Sequence, residues 1–280
     1  MRRYVLLRNI TVNLFIAVCI AFSIHWVMKK RSIDINGPVI EAKSDIIAVS
    51  VNEKDINSKI LENVTATDKK DGDLTSKVVV EKLSKMIDKT EHICNVTFAV
   101  CDYDRNVTKK TVKVKFLDYH SPRFYIDEPL VLELGSNMTV KELLKANDEI
   151  EGDITKRVKI LSSTMSNSDE KQYVVTARVT NKIGDTSKIK APVVVRQKND
   201  VAPKIVLKEY ITYIKKGDKF DPLSYVNEVK DSNDKNINKK RVKIAKTSVK
   251  ASQRGFYAVE YNVKDKEGRE GSVYLTVVVE

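Results

Sequence analysis

The stretch Ala66-Thr67-Asp68-Lys69-Lys70-Asp71-Gly72-Asp73-Leu74-Thr75, followed by Val78-Val79-Val80, decides the fold because it returns. Its second appearance is Asn147-Asp148-Glu149-Ile150-Glu151-Gly152-Asp153-Ile154-Thr155, followed by Val158-Lys159-Ile160. A third, degenerate one is Asp231-Ser232-Asn233-Asp234-Lys235-Asn236-Ile237-Asn238, followed by Val242-Lys243-Ile244. Asp and Gly supply the side-chain-to-backbone bonds and the positive φ that tight turns need. The β-branched run after each turn reads as a strand.

Working outward, each acidic turn sits inside a longer repeated frame. A proline opens each copy, in Pro38-Val39-Ile40, Pro122-Arg123-Phe124 and Pro203-Lys204-Ile205. A short alternating run follows, at 46–51, 130–134 and 211–214. Each copy closes on two strands joined by a polar turn. Those turns begin at Asp102, Asn181 and Asp265, 79 and 84 residues apart. Around seven short strands in a period of about 80 residues point to a β-sandwich. Helix signals outside the N-terminal segment are weak, with at most one turn near 140–146.

The proline opening, the Asp-x-x-Asp-Gly-Asp-hydrophobic-Thr turn and the closing Tyr261-x-Val263-x-Asp265-x-x-Gly268 resemble bacterial immunoglobulin-like repeats of Gram-positive cell-surface proteins, of the domain-of-unknown-function type. The resemblance covers about residues 37–280. It implies fold and location, and no reaction. Arg105 stands where the first copy's closing turn would carry glycine, and the third copy lacks Asp-Gly-Asp. The expected architecture is all-β: three tandem immunoglobulin-like β-sandwiches preceded by one N-terminal transmembrane helix. The expected divisions are 1–31 (cytoplasmic tip and anchor), 32–118, 119–198 and 199–280, the three sandwiches lying end to end.

Twenty residues between Arg8 and Lys29 carry no Asp, Glu, Lys or Arg. As a helix they span about 30 Å, the thickness of a bilayer's hydrocarbon core. Basic residues flank both ends, so the positive-inside rule does not orient the helix. The resemblance to extracellular modules places the repeats outside a single-pass cell-membrane anchor. A signal peptide cleaved near Ala21 and Ser23 is the rival reading. Cys94 and Cys101 fall on one strand seven residues apart. That is about 23 Å of extended chain, too far for the less than about 7 Å a disulfide allows.

The net charge of +12 is uneven. Residues 32–201 are neutral overall, while 202–280 hold 17 basic and 11 acidic residues. From Lys235 to Lys250 there are seven basic residues and no acid. Read as an alternating strand, this run puts Arg241 and Lys243 on one outer face, with Lys239 and Lys246 alongside as candidate ligand-binding residues. Such a stripe suits an anionic cell-wall polymer or lipid headgroups, and another surface protein is a further candidate partner. No base-reading motif accompanies it, so nucleic acid is not an expected partner.

The acidic turns raise calcium, which takes six to eight oxygen ligands. Candidate ligands are Asp68, Asp71 and Asp73, Asp148 and Asp153, and Asp200 in the linker Asn199-Asp200-Val201-Ala202-Pro203, which looks like a cadherin inter-repeat linker. The competing reading is that these carboxylates build turns, with no cofactor. No catalytic residue is assigned: Gly-x-Ser-x-Gly, His-Glu-x-x-His and phosphate-cradling loops are absent from the sequence, and no enzymatic activity is expected. The functional expectation is adhesion or ligand binding at a bacterial cell surface through the basic distal repeat. The alternative is a structural stalk or accessory subunit of an envelope assembly.

Overall fold

The computed structural model describes residues 2–32, 34–163 and 171–280. Helix α1 (Arg2–Ser32) contains the apolar segment Leu6–Met28, with mean hydropathy 2.1. Its 23 residues make about 35 Å of helix at about 1.5 Å each, enough to cross a membrane. Each side chain of that segment is exposed, so its apolar surface is not covered by protein. The Thr11 hydroxyl donates to Leu7 O at 2.8 Å, which satisfies a polar group inside the helix.

After the helix the regular structure is mostly strand, in three copies of one pairing scheme. The first copy comprises β1 (Val39–Ala42), β2 (Ile46–Ser50), the short helix α2 (Ile56–Leu61), β3 (Val64–Asp68), β4 (Gly72–Asp73), β5 (Val79–Asp88), β6 (Ile93–Cys101) and β7 (Val107–Leu117). The second repeats this with β8 (Arg123–Tyr125), β9 (Val131–Glu133), α3 (Val140–Leu143), β10 (Lys145–Asp148), β11 (Gly152–Asp153), β12 (Lys159–Ser163), β13 (Lys171–Thr180) and β14 (Thr186–Arg196). The third has β15 (Lys204–Leu207), β16 (Ile211–Ile214), β17 (Val226–Lys230), β18 (Lys243–Thr247), β19 (Gly255–Lys264) and β20 (Glu270–Val279).

Each copy has one four-stranded sheet and one smaller sheet. The large sheets run β2-β7-β6-β5, β9-β14-β13-β12 and β16-β20-β19-β18. In each, the first strand lies parallel to its neighbour and the rest pair antiparallel. The small sheets run β1-β3-β4, β8-β10-β11 and β15-β17. The third has lost its two-residue strand together with its Asp-Gly-Asp turn. An isolated bridge, Lys230 to Asn236, remains there.

Every second residue of the central strands is buried. In β6 these are Cys94, Val96, Phe98 and Val100; in β13 they are Tyr173, Val175, Ala177 and Val179; in β19 they are Val259, Tyr261 and Val263. This period of two is what a sheet with one buried face imposes. Cys94 and Cys101 both lie on β6 and face opposite ways, the first buried and the second exposed. Burial pushes the Cys94 thiol up to about 11.

Helix α2 was not foreseen. Asp55 caps it by accepting from Ser58 N at 3.1 Å and from the Ser58 hydroxyl at 2.6 Å, and Ile60 anchors it in the core. Six residues are too few for a periodic signal, so the cap is its main sequence cue.

The chain divides into two compact units, Met1–Leu117 and Asp118–Glu280. The second and third copies therefore share one unit, and their buried residues form one cluster. Pro192 on β14 faces away from the second copy's own core yet is buried. It joins Ile126, Leu130, Tyr210, Tyr274 and Thr276 around a gap of only about 10 Å³. Phe124 N donates to Tyr213 Oη at 2.7 Å, Arg123 pairs with Glu280 at 3.0 Å, and the Arg123 guanidinium stacks over the Tyr213 ring at 4.9 Å. Proline is tolerated within β14 for a specific reason. Val194 N donates to Leu130 O, so N–H groups of that parity point toward β9, which pairs only from Val131 onward. The donor that Pro192 lacks has no ladder partner at that level.

Candidate functional site

The basic run of the third copy folds differently from a continuous strand. Lys239–Arg241 forms a single 3-10 turn, and the Asn238 side chain caps it by accepting from Lys240 N at 2.9 Å. Strand β18 starts only at Lys243, so Arg241 reaches the site from a turn. The same turn occurs at Thr75–Lys77 and Thr155–Arg157, each ending in a base and followed by a buried valine. The turn signal lies in Asn238 and in these two equivalents.

Strand β18 then bulges. Lys243 faces Asn262 and Ile244 faces Tyr261, but the register slips so that Lys246 faces Glu260. Strict alternation would turn Lys246 inward. The extra residue, Ala245, returns it to the face shared with Lys243. Equivalent slips occur at Val80/Lys82 and Ile160/Ser162, so the bulge belongs to the repeat itself.

These features create a groove of about 460 Å³ lined by Arg241, Lys243, Ile244, Ala245, Asn262, Val263 and Lys264. Its floor is apolar and its rim carries three cations. Lys264 pairs with Glu270, and Arg241 Nη2 lies 3.5 Å from Asp265 O. Lys243 has no ion pair among the described residues. Of the four expected residues, the groove brings together Arg241 and Lys243. Lys239 stays on the 3-10 turn. Lys246 lines a separate hollow of about 200 Å³ with Gln172, Ser248, Ala258, Glu260 and Tyr274, which come from both copies of the unit. Lys264 and Asn262 were not expected, because they belong to the closing hairpin and meet β18 only through sheet register.

The acidic turns act as internal fasteners. Asp68 Oδ1 accepts from Lys70 N and Asp71 N, and Asp73 Oδ1 accepts from Thr75 N. Asp148 Oδ1 accepts from Ile150 N and Glu151 N, and Asp153 Oδ1 accepts from Thr155 N. Glycine follows at φ +76° and +73°, where a side chain would be strained. One acid of each turn also reaches the closing hairpin: Asp71 Oδ2 accepts from Tyr103 N at 2.8 Å, and Glu151 Oε1 accepts from Lys182 N. The base ending the 3-10 turn reinforces this link. Lys77 Nζ sits 3.3 Å above the Tyr103 ring, and Arg157 forks onto Glu151 at 2.9 and 2.7 Å. Arg241 holds the same place in the third copy, where it has no ion pair among the described residues.

Asp200 lies on the exposed linker 3.4 Å from Lys198. Among the described residues no three His, Cys, Asp or Glu side chains group as metal ligands. Burial works against the charge on Glu151, yet Arg157 and Lys182 outweigh it and hold this carboxyl below the ordinary range. Asp265 is likewise lowered: desolvation opposes the charge, and Arg269 overcomes it with a 2.6 Å bond. Tyr119 is buried, and with Asp185 and Asp148 nearby its phenol is pushed far up, so it remains a donor.

No protein-family model matches the chain. It is 29% identical over 224 residues to the pesticidal crystal protein Cry22Aa of Bacillus thuringiensis, which covers 78% of this chain and 30% of that protein. The chain thus spans under a third of the curated relative it matches. Among solved structures it is similar to the M60 catalytic domain with CBM51 domains of Clostridium perfringens ZmpB (15% identity, TM-score 0.25, 86% of this chain and 30% of that one). Drosophila N-cadherin EC1-4 aligns at 13% identity and TM-score 0.25, over 77% of this chain and 64% of its own. The human desmocollin-1 ectodomain aligns at 14% and 0.21, over 87% and 58%.

Proposed function

We propose that α1 anchors this protein in the cell membrane, that its repeats are three tandem immunoglobulin-like sandwiches on the outer side, and that the third copy binds an anionic cell-wall polymer. The observation that carries this reading is the groove of the third copy, with Arg241, Lys243 and Lys264 on its rim and Ile244, Ala245 and Val263 beneath. Phosphate groups would meet the cations while the polymer's carbon backbone covers the apolar floor. The resemblance of the repeats to surface modules supports the orientation.

The stalk reading has its own support. The second and third copies share one core, which stiffens that pair of copies whatever they hold. Retention of the detergent-solubilised full-length protein on immobilised poly(glycerol phosphate) separates the two. Polymer binding requires retention at low salt, release by salt, and earlier release of R241Q/K243Q/K264Q. No retention, or identical elution of variant and wild type, leaves the stalk.

A further inference from the structure

A second cationic feature lies on the second copy, in a part of the sequence that is neutral overall. Lys159 faces Arg178 across β12 and β13, and Arg178 faces Lys188 across β13 and β14. The neighbouring residues Ile160, Ala177 and Ile189 turn into the core, so these three bases project from the opposite face in one transverse row. Lys190 stands two residues farther along β14, opposite Thr176. Like charges directly opposite destabilise a sheet. Yet none of the four is in an ion pair among the described residues.

Protection of sheet edges explains isolated lysines, and Lys159 on the outermost strand fits that role. It does not explain Arg178, which sits on an inner strand with a neighbour on each side. The same row elsewhere shows the contrast. In the first copy it reads Val79, Ala99 and Lys109, and Lys109 is neutralised by Glu81. In the third it reads Lys243, Asn262 and Ser272, and its first two residues line the groove described above. The repeat therefore uses one row of its large sheet differently in each copy.

We infer that the row Lys159–Arg178–Lys188, with Lys190, is a second binding surface for a linear phosphate-bearing polymer. Cations about 4.8 Å apart across strands make a line about 10 Å long that suits successive phosphates of one chain. The flanking residues Thr176, Thr180 and Thr186 carry hydroxyls, while Leu161 and Val174 are exposed farther along β12 and β13, so the test below includes a lipid surface. This surface is separate from the third-copy groove and stands without it.

The test uses full-length protein in neutral-lipid nanodiscs and long-chain inorganic polyphosphate as the probe. Binding is measured against salt for wild type, K159Q/R178Q/K188Q and R241Q/K243Q/K264Q. Loss of three phosphate contacts lowers the slope of log K against log salt by about 2. The second-copy variant is expected to show that drop and a weakening of tenfold or more, whatever the third-copy variant does. Its thermal midpoint is expected to hold or rise as the like-charge repulsion is removed, which separates loss of binding from loss of fold. Unchanged polyphosphate binding by K159Q/R178Q/K188Q overturns the inference even if the groove variant is impaired. So does binding that appears only on phosphatidylglycerol vesicles and not with polyphosphate.

Discussion

The Asn181 side-chain amide donates to Asp148 Oδ2 at 2.8 Å, and both residues are buried. The same amide donates to Tyr119 Oη at 2.8 Å, and Tyr119 in turn donates to Asp185 Oδ2 at 2.9 Å. One side chain thus ties the acidic turn, the entry segment and the closing turn of the second copy. Replacing Asn181 with Ala leaves a buried carboxylate oxygen short of a donor. The expected cost is about 1–3 kcal/mol, read as a lower urea midpoint at unchanged denaturant slope. A loss below about 0.5 kcal/mol would mean that this network is not a fastener.

Closing turns in the second and third copies use Gly184 and Gly268 at φ +77° and +83°, whereas the first uses Arg105 at φ +72°. A left-handed backbone costs a non-glycine residue about 1–2 kcal/mol, and the flexibility of glycine returns about 0.5–1 of that. Arg105→Gly is therefore expected to stabilise the protein slightly, by up to about 1 kcal/mol. Chemical denaturation checks it, and destabilisation would show that the arginine side chain matters more than its backbone.

Much of this framework is legible in the sequence. The three acidic turns, the closing hairpins and the apolar helix can be read because each is local: a turn needs Asp and Gly within a few residues, and a strand announces itself by alternation. Three features cannot be read that way. The bulges at Glu81, Leu161 and Ala245 depend on register with a partner strand. The 3-10 turn at Lys239–Arg241 replaces an extended run of similar composition, and only Asn238 hints at it. The joining of the second and third copies through Pro192 and Tyr213 is a tertiary contact between residues that look like ordinary strand and turn positions.

That joining has a measurable consequence. Tyr213→Phe keeps the ring under Arg123 but removes the acceptor for Phe124 N. The expected loss is about 1–3 kcal/mol for the orphaned donor. Tryptophan is confined to α1 at Trp26, so tyrosine fluorescence of the repeats is the practical probe. A loss confined to the third copy's signals, with the second unaffected, would speak against a shared core.

Acid should loosen the fasteners whose carboxyls are depressed. Glu151 and Asp265 both ionise more readily in the folded protein, so their contribution is complete above the unfolded values of about 4.3 and 3.9. It is lost as pH falls through the lower folded values. Stability is expected to decline below about pH 4, and Glu151→Gln is expected to flatten part of that decline. The same acid sensitivity in variant and wild type would remove Glu151 from the account.

Hydrogen exchange of the full-length protein tests the repeated strand framework most directly. The slowest amides are expected in three separate blocks, Ile93–Cys101, Lys171–Thr180 and Gly255–Lys264, with the last two rising and falling together under mild denaturant. Protection concentrated in one block, with the others exchanging like an open chain, would contradict a protein built from three copies of one sheet pairing.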